Sequence, residues 1–530
     1  MTESEATEQY GLYEINLQGS ERGNPYVETQ LRADFRSRET GELISVKGFY
    51  RGKGHFSIRF MPLTTGLWTY ETHSNDPNLD DCQGTLEAAP ARGENHGRVL
   101  PAKEVVSGER AQVYGRELPF RFAYEDGTDY VPFGTTCYAW ISQDTAVQDQ
   151  TLQTLATSPF NKVRMCVFPK FYDFNTADPP MFAYQGSMAQ GFDHSRFNED
   201  FFENLDRRIT QLDQLGIQAD VILLHPYDKP EWGFSRMTTD EDRFYLSYMA
   251  RRYGAYKNVW WSLANEYDLM PHKSLEDWRS YARVVMADDA FGHLRSIHNC
   301  LTIYDYNEPW CTHCSIQRTD VTRTTEDIED WRQRFHKPVI CDEAGYEGNI
   351  YWGWGNLSAQ EMVRRFWQGC MRCGYVTHGE TFIDKGPQIW WAHGGRLHGE
   401  SPARIAFMRD IFEQMPRDAT PLDAGTPQDA VWPLSSPKAP NAVSDAAWEK
   451  AGQYWDVPVI RSGVDYSLVY FGWYQPLYRE FALPEGHRYK VDVIDTWNMT
   501  VTTLPEECRD RIRVNLGQRQ YMAVRLSRVA

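Results

Sequence analysis

Hydrophobic and polar positions change their rhythm twice along this chain, and the changes divide it into three parts. From about Gly11 to Ala89, apolar and polar residues alternate over short runs. Val46–Tyr50, Phe56–Met61 and Leu67–Thr72 are separated by Arg51-Gly52-Lys53-Gly54 and by Pro62-Leu63-Thr64-Thr65-Gly66. Period-two runs broken by Gly-containing turns predict the hairpins of a small, Ig-like β-sandwich. Trp68 lies in one of these runs, and a lone strand Trp is expected in the core rather than on a sugar.

From about Tyr130 the rhythm becomes strand then helix. Candidate strands are Tyr130–Thr136, Lys162–Phe168, Gln218–Leu224, Val259–Ala264, Leu294–His298, His313–Gln317, Pro338–Cys341 and Tyr375–Thr377. Amphipathic stretches fall between several of them: Asn198–Leu215, Asp240–Tyr253, Leu275–Ala287, Thr325–Phe335 and Ala359–Cys373. Ser358 with Glu361 three residues later marks a helix start, and Ala403–Gln414 would supply a last helix. Eight strands alternating with helices predict an α/β fold, a (β/α)8 TIM barrel. Pro416–Pro440, rich in Pro, Ala, Asp and Ser, reads as a linker. Beyond it, Tyr466–Phe471, Tyr478–Phe481, Tyr489–Ile494, Met499–Thr503 and Tyr521–Leu526 predict a second β-sandwich. The expected domains are 1–95, 96–425 and 426–530, a barrel flanked by two small sandwiches.

Two of the barrel strands stop on carboxylates. Trp260-Trp261-Ser262-Leu263-Ala264 runs into Asn265-Glu266, and Val339-Ile340-Cys341 into Asp342-Glu343. Their spacing leaves room for about two further strand–helix units at roughly 30–40 residues each. Reacting groups in such barrels project from the C-terminal ends of strands. Paired carboxylates there suit glycosidic bond cleavage, one protonating the leaving oxygen and the other attacking the sugar carbon. We therefore assign Glu266 as general acid/base and Glu343 as nucleophile. Strict alternation points Asn265 and Glu266 to opposite faces, so both reach the site only if the strand end twists or bulges. The same alternation makes Asp342 the rival of Glu343.

The other strand ends are polar where the strand interiors are apolar: Arg164 with Lys170, His225, His298 with Asn299, Gln317, and His378 with Glu380. With Asn265 they form the expected ring of sugar contacts. Tyr346–Trp354 and Thr381–Gly395 are aromatic loops at the same end. Such loops either pack on each other or receive a ligand; Tyr346, Trp390 and Trp391 complete the expected substrate-binding set. One of the two Trp should face sugar and the other pack inward.

Composition narrows the partners. The formal charge is −18, from 55 Lys and Arg against 73 Asp and Glu. An acidic surface repels phosphate backbones and anionic lipid, which argues against nucleic acid and membrane. Apolar runs such as Ala219–Leu224 fall far short of the ~20 residues that span a bilayer. Met1–Glu8 lacks the basic and apolar regions of a secretory signal, so a cytoplasmic location is expected. Ten cysteines, several in apolar strand patterns, fit a reducing compartment. Cys311/Cys314 and Cys370/Cys373 have ligand-like spacing, but the second pair falls in a helical pattern and neither sits in a Gly-rich knuckle. No metal and no cofactor are expected. No phosphate loop, dinucleotide fingerprint, HExxH or Gly-x-Ser-x-Gly elbow occurs.

The barrel resembles clan A glycoside hydrolases, whose Asn-Glu doublet ends strand four and whose nucleophilic Glu ends strand seven. More narrowly, the chain resembles bacterial proteins in which an apiosidase-like barrel lies between two β-sandwich modules of unknown function. Gly48-Phe49-Tyr50, Arg59-Phe60-Met61-Pro62 and Gly66-Leu67-Trp68 match the N-terminal module. Phe133-Gly134-Thr135-Thr136, Trp260–Asp268, Asp342-Glu343, His378-Gly379-Glu380-Thr381 and Gly399-Glu400-Ser401-Pro402 match the barrel, and Asp495-Thr496-Trp497 the C-terminal module. The resemblance implies a retaining glycosidase acting on a β-D-glycoside, an apioside or an α-L-arabinofuranoside. A cytoplasmic enzyme meets imported pieces, which favours exo action on short oligosaccharides or glycosides. Transglycosylase or phosphorylase chemistry on the same scaffold and a silent carbohydrate-binding protein are the alternatives. The expected partner is a small carbohydrate, with a homo-oligomer left open.

Overall fold

The computed structural model describes residues 5–105, 120–422 and 457–529. Eight parallel strands form the central sheet: β1 (Phe133–Thr136), β2 (Lys162–Cys166), β3 (Gln218–Leu224), β4 (Val259–Ala264), β5 (Arg295–Ser296), β6 (Cys314–Gln317), β7 (Val339–Glu343) and β8 (Tyr375–His378). The order runs β5-β4-β3-β2-β1-β8-β7-β6, and a parallel bridge between His298 and Ser315 joins the two ends, closing the barrel. Among the described residues, seven helices of at least two turns surround it: α1 (Thr145–Leu155), α2 (Glu199–Gln214), α3 (Thr239–Tyr253), α4 (Leu275–Asp288), α5 (Ile328–Phe335), α6 (Ala359–Cys370) and α7 (Ser401–Glu413). Residues 297–313, between β5 and β6, carry turns instead of a helix. Ser358 caps α6 as the spacing predicts, its hydroxyl accepting from the Glu361 amide at 3.2 Å.

Several expectations need correction. The run Tyr130–Thr136 is not one strand. Pro132 lacks the N–H a central strand needs, and the chain splits there. Asp129–Tyr130 pairs antiparallel with Phe122–Tyr124, which pairs in turn with Val99–Pro101. This small sheet plugs the lower end of the barrel, where Phe122 packs on Trp260 and Tyr375 with ring centroids 5.3 and 5.4 Å apart. Helix α1 was not foreseen, because its buried side carries Gln148 and Thr151 as well as Leu155 and shows no apolar stripe. The barrel interior is not wholly apolar either. Lys162, Arg164, Asp220 and Asp342 meet there, all buried, and Arg164 lies within β2 instead of at its end.

The N-terminal part pairs a five-stranded sheet with a three-stranded one. Phe35 stacks on Phe60 at 3.9 Å and Trp68 packs beside Phe60 at 5.1 Å, so Trp68 is a core residue. Gly48 breaks the run Val46–Tyr50, since a side chain there would sit 2.6 Å from Leu31. Arg59 joins this domain to the barrel, donating to Asp206 of α2 at 2.6 Å and to the Arg252 carbonyl at 2.9 Å. The expected boundary at 95/96 falls in the loop before Val99–Pro101, and that at 425/426 lies outside the described residues, as does Pro416–Pro440 beyond residue 422. The opening of that linker is not free: Thr420–Pro421 pairs antiparallel with Val459–Ser462 as the edge of the C-terminal sheet. Val459–Ser462 and Arg511–Asn515 are strands the alternation did not reveal. The C-terminal module rests on α6 and α7, with Tyr470 stacked on Trp367 at 5.0 Å and Arg404 over Trp497 at 4.2 Å.

Candidate active site

At the C-terminal end of the barrel a cavity of about 370 Å³ is lined by Glu266, Glu343, Gln317, Lys170, Tyr227 and Trp391, among others. Strand β4 ends at Ala264, and Glu266 takes the left-handed conformation, with φ +54°. That break in alternation turns Glu266 into the cavity while Asn265 stays buried beneath it. Such φ values are uncommon for non-glycine residues and cluster at functional sites. Opposite, the register slips between Ile316 and Gln317 as β6 meets β7. Asp342 faces the barrel interior and Glu343 rises into the cavity.

The two carboxylates share their donors. The Gln317 amide, turned so that its nitrogen faces the acids, donates to Glu266 Oε1 at 3.2 Å and to Glu343 Oε2 at 3.0 Å. Those oxygens are therefore separated by no more than the sum of the two distances. Tyr138 donates to Glu343 and Tyr227 to Glu266. Asn265 donates to Glu266 Oε2 at 3.2 Å and accepts from Arg164 at 3.4 Å. Burial first, and then the charge of Glu266, push the Glu343 carboxyl up to about 7, against the pull of Lys170 and Arg164. Lys170 stands among rings, its ammonium 3.9 Å from the Tyr138 centroid, 4.3 Å from Tyr227 and 5.6 Å from Trp391.

Asp342 occupies a different environment. It accepts from Lys162 at 2.8 Å, Ser315 at 2.6 Å and Thr377 at 2.7 Å. Burial opposes its charge, but Lys162 and Arg164 prevail and hold the carboxyl far below the usual range. It is a fixed anion with every neighbour engaged, out of reach of a ligand in the cavity.

Of the expected sugar contacts, Lys170, Gln317 and Trp391 line the cavity. Arg164, Asn265 and Tyr346 lie just behind it, as does His298, with Nε2 4.0 Å from Glu343 and its ring kept neutral by burial. Four others are engaged elsewhere. His225 is held between the Phe168 carbonyl at 3.2 Å and the Tyr227 amide at 3.2 Å, which makes it a backbone clasp. His378 is stacked on Phe160 at 4.6 Å, Glu380 accepts from the His398 amide, and Trp390 is buried with its indole N–H on Thr135 at 2.8 Å. Tyr138, Tyr172, Tyr227, Cys300, Trp352 and Trp354 are neighbours the strand-end reading passed over. Tyr138 and Tyr227 lie two and three residues beyond their strands, close to the two residues by which Glu266 follows β4, and that offset was a usable signal. Cys311, Cys314, Cys370 and Cys373 are buried, and among the described residues they do not gather into a metal cluster.

The paired tryptophans divide as a stacking residue and a core residue would. Trp391 meets Tyr172 and Trp354 at 5.1 Å on the cavity wall. We expect Trp391→Ala to weaken sugar binding by about 1–2 kcal/mol with little change in melting temperature. Trp390→Ala should cost about 3–5 kcal/mol of stability as a large-to-small core change. Calorimetric titration and thermal melts of the two variants separate these effects; equal losses in both would undo the division.

Comparison with known proteins agrees with this geometry. The description "Apiosidase-like, catalytic domain" matches residues 120–415, and two domains of unknown function, DUF5060 and DUF5605, match residues 6–75 and 455–527. Among solved structures, a Bacteroides vulgatus protein provisionally described as a glycoside hydrolase is 34% identical, covering 99% of this chain and 100% of its own, with a TM-score of 0.85. A family 5 glycoside hydrolase from the same organism is 15% identical over 82% of this chain and 94% of its own, with a TM-score of 0.59, a likeness of fold alone. No curated protein matches the chain.

Proposed function

Since the chain belongs to the apiosidase-like family and is a glycosidase, we propose that it cleaves short glycosides with retention, Glu343 as nucleophile and Glu266 as acid/base. The observation that carries this is the one amide nitrogen within reach of both carboxylates. It keeps the nearest oxygens below the roughly 6.5–9.5 Å at which inverting pairs stand. In the first step a Glu343 oxygen bonds to the anomeric carbon while the bond to the leaving oxygen breaks and takes the Glu266 proton. In the second, Glu266 removes a proton from water, which displaces Glu343 and frees the sugar with its original configuration. Asn265 and Tyr227 hold Glu266 in place, and Tyr138 holds Glu343.

The cavity, about 370 Å³, is at the lower end of the roughly 300–1,000 Å³ of ligand sites, which favours exo action on one or two sugar units over a polymer groove. A panel of aryl pyranosides and furanosides of both anomers identifies the sugar, and NMR of the first-formed product reports its anomer. An inverted first product would reject the two-step scheme.

Proton count adds a second check. The scheme needs Glu343 ionised to attack, and its carboxyl is pushed up to about 7. The rate should therefore rise as pH rises through about 7. The raised pKa also means that the native state holds a proton the unfolded chain has released between the ordinary carboxylate range and about 7. Stability from this group is thus lost as pH rises through that window. Glu343→Gln should gain stability relative to the wild type between pH 5 and 8; a constant difference across that range would contradict the shift.

A further inference from the structure

A second polar cluster lies outside the catalytic cavity, behind the aromatic wall. Glu347, in the loop after β7, and Glu380, just past β8, are register partners in a short parallel pair, and His378 ends β8. All three are buried, at 3%, 1% and 0% exposure. One polar atom from each lies within 4.8 Å of the others. His378 Nε2 is 3.7 Å from Glu380 Oε1, too far for a direct hydrogen bond. Neither atom has a hydrogen-bond partner among the described residues, although both are sealed from solvent.

The charges are as unbalanced as the hydrogen bonds. Among the described residues no Lys or Arg reaches either carboxylate. Glu347 is answered by the start of α7, accepting from the Glu400 amide at 2.8 Å, the Ser401 amide at 3.1 Å and the Ser401 hydroxyl. Glu380 has the His398 amide at 2.7 Å on Oε2 and nothing on Oε1. A buried carboxylate without a partner costs several kcal/mol unless a proton or a cation neutralises it. Thr135 Oγ1 is 3.1 Å from Nδ1 and can take the Nδ1 proton, which leaves the lone pair on Nε2. Metal-bound histidines are commonly oriented by such a partner on the other nitrogen.

We propose that Glu347, His378 and Glu380 bind one divalent transition-metal cation, Zn²⁺ or Mn²⁺, in a structural site distinct from the catalytic pair. One imidazole and two carboxylates suit these ions, whereas Ca²⁺ and Mg²⁺ favour all-oxygen sets. The cation ties together β8, the loop after β7 and the first turn of α7. Through Thr135, which also accepts from Trp390, it braces the wall that carries Trp391.

The test uses the full wild-type chain, produced with added zinc or manganese, desalted and assayed by elemental analysis and thermal melting. About one metal per chain is expected, with a melting temperature that falls by several degrees on chelation and recovers with Zn²⁺ or Mn²⁺ but not Ca²⁺. Glu380→Gln should bind no metal and ignore the chelator. A metal-free wild type whose melting is indifferent to chelator, zinc and manganese overturns the proposal. So does a Glu380→Gln variant more stable than the metal-supplied wild type above pH 8, which marks a shared proton in place of a cation. The wild-type measurements stand even if the variant fails to fold.

Discussion

Glu343→Gln should fold normally and lose turnover on every glycoside, by on the order of 10⁴-fold or more, because no group remains to form the glycosyl-enzyme bond. The amide keeps an acceptor for Tyr138 and removes a charge that burial and Glu266 both oppose, which offsets the loss of the Gln317 hydrogen bond. The adjacent Asp342→Asn should do the reverse. Lys162, Arg164, Asp220 and Asp342 form a set with two positive and two negative charges, shut inside the barrel. Neutralising Asp342 leaves an uncompensated buried cation, and breaking a pair of this kind commonly costs about 3–5 kcal/mol. Melting curves and single-turnover rates on the two variants settle the assignment. Near-normal rates in Glu343→Gln with loss in a folded Asp342→Asn would move the nucleophile by one residue.

The two proposed acids were legible because each ends a run of apolar residues long enough to be a buried strand, and because the Asn265-Glu266 doublet has a matched partner in Glu343. Gln317 was legible for the first of these reasons. The partners of the acids were not. Tyr138 and Tyr227 stand on loops, where no periodicity marks the direction of a side chain and only their short offset from a strand end points to the site. Lys162 and Asp220 were hidden for the opposite reason. A charge inside a strand looks like an outward-facing residue until the partner from another strand is known, and those partners are 58 and 180 residues from Lys162 in sequence. His225, His378 and Glu380 show the limit of a strand-end rule: it finds the rim of the barrel, yet the rim also needs groups that clasp backbone or fill gaps behind the wall. The break at Asn265–Glu266 was foreseen as a requirement, but the left-handed turn that meets it is not encoded in any local residue preference.

Glu266→Ala should separate the two chemical steps. An activated aryl glycoside has a leaving group that departs without protonation, so glycosyl-enzyme formation on Glu343 should survive. A natural glycoside, whose alkoxide leaves only with a proton, should slow by roughly 10²–10⁴-fold, the worth of general acid catalysis. With the activated substrate the second step then becomes limiting, because water reaches the intermediate with no base to take its proton. Azide needs no deprotonation and is small enough for the space the missing side chain leaves. It should restore turnover and release a glycosyl azide of the same anomeric configuration as the substrate, since it attacks the face opposite Glu343. Removing Glu266 also takes away the charge that, after burial, lifts the Glu343 carboxyl, so the rise in rate near pH 7 should shift toward lower pH. Equal losses on activated and natural substrates, without azide rescue, would mean that Glu266 shapes the site without handling the proton. An azide product of inverted configuration would place the nucleophile elsewhere than on Glu343.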